Sequence, residues 1–197
     1  MKKLRAGILI SGRGSNMMSL IEAARAPDYP VEIVCVVSNR PKAKGLEYAA
    51  AHCIPTKVID HKAYASREAF DTALGDYLKA NDLDLVACAG FMRFMTPALL
   101  ARWRGRMLNI HPSLIPAYPG INTHERAIAD GAKVHGCTVH LVTEELDNGP
   151  IILQAEVPVL SGDTPDTLAA RVLTEEHRIY PQALAIVARQ LQAKTST

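Results

Sequence analysis

Apolar residues dominate from Leu4 to Ile10 and again from Val31 to Val37, and between them they recur at helical spacing from Ser15 to Ala26, stopping at Pro27. Short β-branched runs read as strands and a 3.6-residue spacing reads as a helix, so the start of the chain predicts a β-α-β unit. The alternation continues with a helix over Ala43 to Ala51, a short strand over Thr56 to Ile59, a helix over Ser66 to Ala80 and an apolar strand over Leu83 to Ala89. This order predicts a parallel sheet with helices on both faces and ligands at the carboxyl ends of its strands.

Beyond Ala89 the pattern changes. Met107 to Ile110 predicts a short strand, and Asn109 to Gly120 carries three prolines and a glycine, which predicts a rigid irregular loop. Gly136 to Thr143 alternates, turns at Asp147-Asn148-Gly149-Pro150 and continues into Ile151 to Val159, so a hairpin closes a mixed sheet. A last helix is expected from Pro165, capped by Thr164, toward Gln190, with Pro181 kinking or dividing it. Lys194 to Thr197 reads as a frayed tail. With 197 residues and no repeat, the expectation is one α/β domain over 1–197.

Composition narrows the class. Hydrophobic residues at 48% and charged ones at 21% supply an ordinary core. The formal charge of +2 gives no global field toward nucleic acid or an anionic membrane, so any anion site is local. No run of ~18 apolar residues is present to span a bilayer, and the first apolar run is too short for a signal peptide, which points to the cytoplasm. Cys35, Cys53, Cys88 and Cys137 have no C-x-x-C spacing and are expected to be core thiols. His135 and His140, five apart, fall on opposite faces of a strand, so no metal is expected there.

Three segments carry chemistry. Ser11-Gly12-Arg13-Gly14-Ser15-Asn16 joins the first strand to the first helix, and its glycines and helix-start amides suit a phosphate. Position 17 is Met17, so the dinucleotide fingerprint is incomplete; a plain turn capped by Ser15 is the equal alternative. Asn109 and His111, two apart on an extended segment, share a face and suit carbonyl chemistry, Asn109 donating to an oxyanion and His111 managing a proton. A structural histidine is the alternative. Asp147 is a carboxylate that favours the charged form of an imidazole beside it, but Asp-Asn-Gly-Pro is also a good bare turn.

Taken in order, Ile10-Ser11-Gly12-Arg13-Gly14-Ser15-Asn16, Ala89-Gly90-Phe91-Met92-Arg93, Asn109-Ile110-His111-Pro112-Ser113-Leu114, His135-Gly136-Cys137-Thr138-Val139-His140 and Glu145-Leu146-Asp147-Asn148-Gly149-Pro150 closely resemble the phosphoribosylglycinamide formyltransferases, a folate-dependent family. The resemblance covers nearly the whole chain and implies a Rossmann-like formyltransferase fold. It implies formyl transfer from 10-formyltetrahydrofolate to the amine of phosphoribosylglycinamide in purine biosynthesis, with no metal. The matching Asn109, His111 and Asp147 would be catalytic. Gly14, Ser15 and Asn16 would hold the substrate phosphate, with Leu173, Thr174, Glu175 and Glu176 on the same ligand and Glu176 at the ribose hydroxyls. Arg67, Met92, Arg93, Phe94, Met95, Asn109, Thr143, Glu144, Glu145, Leu146 and Asp147 would bind the folate. Two positions depart from the family pattern: Arg13 where a smaller polar residue is common, and Asn148 where Gly or Thr is common.

Three other readings stay open at this point: a hydrolase of the formyl donor, a formyltransferase with a larger acceptor, and a non-catalytic binder. The phosphate loop argues against the first, and the absence of an added domain or basic patch against the second. Oligomeric state, monomer or homodimer, is not legible.

Overall fold

Strand β1 (Leu4–Ile10) buries Ala6, Ile8 and Ile10 in one apolar cluster and Leu9 in another, as the two-residue period of an extended chain requires when both faces are covered. The computed structural model describes residues 2–195, with the backbone alone at 195. Around β1 lie β2 (Val31–Ser38), β3 (Thr56–Val58), β4 (Leu85–Cys88), β5 (Met107–His111), β6 (Val134–Leu141) and β7 (Ile151–Pro158). They form one sheet in the order β3-β2-β1-β4-β5-β6-β7. Strands β1 to β5 pair in parallel, and β5-β6 and β6-β7 pair antiparallel, the mixed end that the hairpin predicts.

The helices are α1 (Ser15–Ala24), α2 (Gly45–Ala51), α3 (Arg67–Ala80), α4 (Pro97–Arg102), α5 (Thr123–Ala129) and α6 (Pro165–Thr195). On one face Met17, Leu20 and Ile21 of α1 pack with Leu168, Val172, Tyr180 and Leu184 of α6. On the other, Phe70, Leu74 and Leu78 of α3 pack with Leu99 and Trp103 around α4. The order reverses between β1 and β4, where the chain turns first to β2 on one side and later to β4 on the other. That switch point opens a crevice at the carboxyl ends of the strands.

Several expectations change. Pro181 does not divide α6, which is one helix from Pro165 to Thr195. Its missing hydrogen bond costs about 3 kcal/mol. Tyr180, Ala183, Leu184, Val187 and Ala188 are all buried around it, and at about 1.5–3 kcal/mol for each large apolar side chain this packing outweighs the break. Thr164 does cap the helix, its Oγ1 accepting from Thr167 N at 3.2 Å. Cys35, Cys88 and Cys137 are buried, and burial pushes their thiols up to about 11, 12 and 12. Cys53 is exposed, in a left-handed turn after α2 (φ 58°), so it is not a core thiol. The expected frayed tail lies in part outside the described residues, at 196–197.

Candidate active site

Asn109 and His111 sit on β5, two residues apart, facing a cleft of about 670 Å³. Strand β6 places His140 opposite Asn109 and Thr138 opposite His111. The loop leaving β6 carries Asp147 back over β5, and Gly149 makes that return possible. A Cβ at 149 would stand 1.7 Å from Leu141 O, so a side chain there forces the loop off the sheet. The three residues proposed from sequence therefore meet: His111 Nδ1 lies 3.3 Å from Asp147 Oδ2, with the two side chains 6% and 8% exposed. Asp147 Oδ2 also accepts from Gly120 N at 2.9 Å, which ties the proline-rich loop to the site. Thr138 holds the same loop from below, donating to Ser113 O and accepting from Ile115 N.

Hydrogen bonding orients each group. His111 Nε2 lies 2.9 Å from Tyr118 O and its Nδ1 3.3 Å from Asp147 Oδ2, so the ring faces an acceptor at each nitrogen. His140 Nδ1 donates to Leu141 O at 3.0 Å, so its Nε2 is an acceptor in the neutral ring. Burial holds His140 below the ordinary histidine range against the upward pull of the Leu141 carbonyl and Asp147. Its 3.8 Å approach to Asp147 is thus no ion pair. That acceptor fixes the Asn109 amide, because the atom facing His140 Nε2 at 3.3 Å must be Nδ2. One amide hydrogen is used there and the other remains for a ligand. Deeper in, His135 Nε2 lies 3.2 Å from His124 Nδ1, and burial pushes His135 down to about 4, a neutral ring at physiological pH.

The rim is apolar. Met92, Phe94, Ile121 and Leu146 are exposed around the cleft, and Arg93, Met95, Thr143, Glu144 and Glu145 also line it. Arg93 stacks its guanidinium 4.7 Å from the Phe70 ring, with a buried Nε that has no partner. Arg67, the first residue of α3, stands behind the rim with its guanidinium 5.9 Å from the ring of Phe94, which lines the cleft.

The loop between β1 and α1 forms a second centre. Gly14, not Ser15, is the N-cap of α1, at φ 71° and with no side-chain cap, so the first amides of the helix are left for a ligand. Asn16 Nδ2 donates to Glu176 Oε2 at 2.6 Å, joining α1 to α6, while Asn16 Oδ1 is buried without a partner. Burial pushes Glu176 up, partly offset by the Asn16 hydrogen bond. Leu173 is half-buried one turn before Glu176. Thr174 is exposed and returns its hydroxyl to Ala170 O, and Glu175 is paired with Arg178 at 2.5 Å, so neither faces Asn16 as Glu176 does.

Sequence reasoning missed His140 as the orienter of Asn109, His124 in the cleft, and the backbone of Tyr118 and Gly120. The pairing of β5 with β6 decides the first, and only a folded loop reveals the others. Among the described residues no group of three or more His, Cys, Asp or Glu is placed to hold a metal ion, and no helix is long and apolar enough to cross a membrane.

An amide donor, an imidazole and a carboxylate meet at a strand end in the cleft, and residues 4–184 match the Formyl transferase family. The chain belongs to that family. It is 46% identical over 178 residues to the phosphoribosylglycinamide formyltransferase of Escherichia coli, covering 90% of this chain and 84% of that protein. It is also 49% identical over 187 residues to the trifunctional purine biosynthetic protein adenosine-3 of Bos taurus, covering 95% of this chain but only 18% of that protein. Among solved structures, the phosphoribosylglycinamide formyltransferase of Brucella melitensis superposes with a TM-score of 0.91 at 52% identity, covering 95% of this chain and 96% of that one. The glycinamide ribonucleotide transformylase 1 of Symbiobacterium toebii gives 0.93 at 47%, with 95% and 89% covered.

Proposed function

We propose that the chain transfers a formyl group from 10-formyltetrahydrofolate to the amine of phosphoribosylglycinamide, a step of purine biosynthesis. The observation that carries this reading is the convergence of Asn109, His111 and Asp147 in a cleft two strands from an uncapped phosphate loop. Strands lie about 4.8 Å apart, so roughly 10 Å separate the ends of β1 and β5. That is the reach of a phosphorylated ribose with a short amide arm. The apolar rim suits a flat heteroaromatic donor, and the unpartnered Arg93 Nε suits its anionic tail. On the acceptor side, Asn16 Oδ1 and Glu176 offer acceptors to sugar hydroxyls.

The amine is itself the nucleophile, so the site has to align it and stabilise charge. As the new nitrogen–carbon bond forms, the formyl oxygen becomes an oxyanion, which the free hydrogen of Asn109 Nδ2 meets directly. In its protonated form, which the Asp147 carboxylate beside it favours, His111 stabilises the same oxygen, its Nε2 donating there on releasing Tyr118 O. The amine proton passes through water in the cleft to the folate nitrogen as the bond from carbon to that nitrogen breaks and the oxyanion re-forms the carbonyl. Neutral His140 keeps Asn109 in the donating orientation throughout. The protein acts in the cytoplasm on small molecules alone, without nucleic acid, membrane or metal.

Donor loss measured with and without phosphoribosylglycinamide tests the reading. Loss only with the acceptor is expected. Equal loss without it means hydrolysis of the donor, and no loss with either means another substrate or a binder.

A further inference from the structure

One buried side chain spans the crevice at the switch point between β1 and β4. Ser11 is 3% exposed and follows β1 directly. Its N–H donates to Gly90 O at 3.1 Å; its Oγ accepts from Met92 N at 2.8 Å and donates to Asn39 Oδ1 at 2.6 Å. Asn39, 1% exposed, is held in turn by His61, whose Nδ1 donates to Asn39 O at 2.8 Å. On one side of Ser11 the next residue is Gly12, whose carbonyl accepts from Gly45 N at 3.1 Å, and the phosphate loop follows. On the other side Met92 begins the exposed 92–95 rim of the cleft, whose far end is tied by Thr96 N to the buried Asp71 Oδ2 at 2.5 Å. A hydroxyl with its one hydrogen given and a lone pair taken is an oriented link, and this one joins two loops that are far apart in sequence.

We propose that Ser11 is a positioning residue that couples the two substrate sites. Occupancy of the phosphate loop fixes the backbone at Ser11, and the hydroxyl carries that order to Met92 on the folate side. The proposal rests on the functional reading above, which assigns the two loops to different substrates. Coupling between two ligands is reciprocal, so each tightens the other by the same factor.

Tetrahydrofolate lacks the formyl group and forms a non-reacting ternary complex, so calorimetric titration reads the coupling directly. In the unaltered protein, saturating phosphoribosylglycinamide is expected to tighten tetrahydrofolate by about fivefold or more. In Ser11→Ala, phosphoribosylglycinamide still binds and the factor falls to near one. Because Ser11→Ala strips Met92 N of its partner and leaves buried Asn39 Oδ1 without the hydroxyl, a second measurement uses the unaltered chain. Hydrogen exchange at the Met92 amide is expected to slow when phosphoribosylglycinamide alone is added. A factor of one in the unaltered protein, an undiminished factor in Ser11→Ala, or Met92 exchange indifferent to the acceptor overturns the proposal. Failure of either ligand to bind on its own instead sinks the functional reading, and this inference with it.

Discussion

Replacing Asp147 by Asn removes one charge and keeps the tie that holds the loop, since the amide oxygen still accepts from Gly120 N. What is lost is the counter-charge 3.3 Å from His111 Nδ1. At that distance and an effective dielectric of 20 the gross attraction is about 5 kcal/mol. Breaking a buried pair by removing one partner costs about 3–5 kcal/mol in practice. At about 1.4 kcal/mol per decade, the expected fall in kcat is roughly 10²- to 10⁴-fold. The KM for phosphoribosylglycinamide should stay close to its starting value, because the phosphate loop and Glu176 do not touch Asp147. Steady-state donor loss, with circular dichroism to establish that the variant is folded, gives both constants. A folded Asp147→Asn with kcat within about fivefold of the parent would falsify the role given to the charged ring. A rise in KM alone would move Asp147 from the chemistry to folate binding.

Three further outcomes follow from the same geometry. Gly149→Ala should displace the Asp147 loop, since its Cβ collides with Leu141 O; we expect a loss of about 1–3 kcal/mol in denaturant unfolding together with a fall in kcat, and an unchanged kcat refutes the positioning argument. Burial raises the Glu176 pKa, so the folded state holds its proton more tightly than the unfolded one. Stability from this group is present below the ordinary carboxylate value and is lost as pH rises through the raised one. Glu176→Gln should therefore flatten the decline in thermal stability on that side, and an identical profile in the variant counts against a strained carboxylate. Arg13 is exposed beside the phosphate loop, with no hydrogen bond or ion pair among the described residues, and Arg40, Lys42 and Lys44 are exposed nearby. Arg13→Ala should raise the acceptor KM at low ionic strength, an effect that shrinks as salt screens it; a KM difference that persists at ~1 M salt points to a direct contact instead.

Local pattern carried the elements with strong periodicity. The β-α-β start, helix α3 to within a residue, and the β6-β7 hairpin were legible because apolar runs, helical spacing and Asn-Gly-Pro turns each act within a few residues. Helices α4 and α5, of six and seven residues, were not, although Thr96-Pro97 is a start signal in retrospect, with Thr96 Oγ1 accepting from Leu99 N. Unlike α2, whose unbroken Tyr48-Ala49-Ala50-Ala51 stretch reads as helix, these two follow irregular segments that mask so short a periodicity. Pro181 misled in the other direction, because the burial that keeps α6 whole is set by the sheet beneath it.

The site divides along the same line. Asn109 and His111 share a face because a strand has a period of two; that fact is local, so the sequence by itself determined it. The bare amides of α1 were only half legible, since a turn capped by Ser15 read equally well until the fold placed Gly14 at the N-cap with no side-chain cap. That Asp147 reaches His111 across 36 residues, that His140 turns Asn109 into a donor, and that Ser11 ties one loop to the other were decided only by tertiary structure. Each depends on which strands lie side by side, and strand order is fixed by the packing of helices on both faces of the sheet.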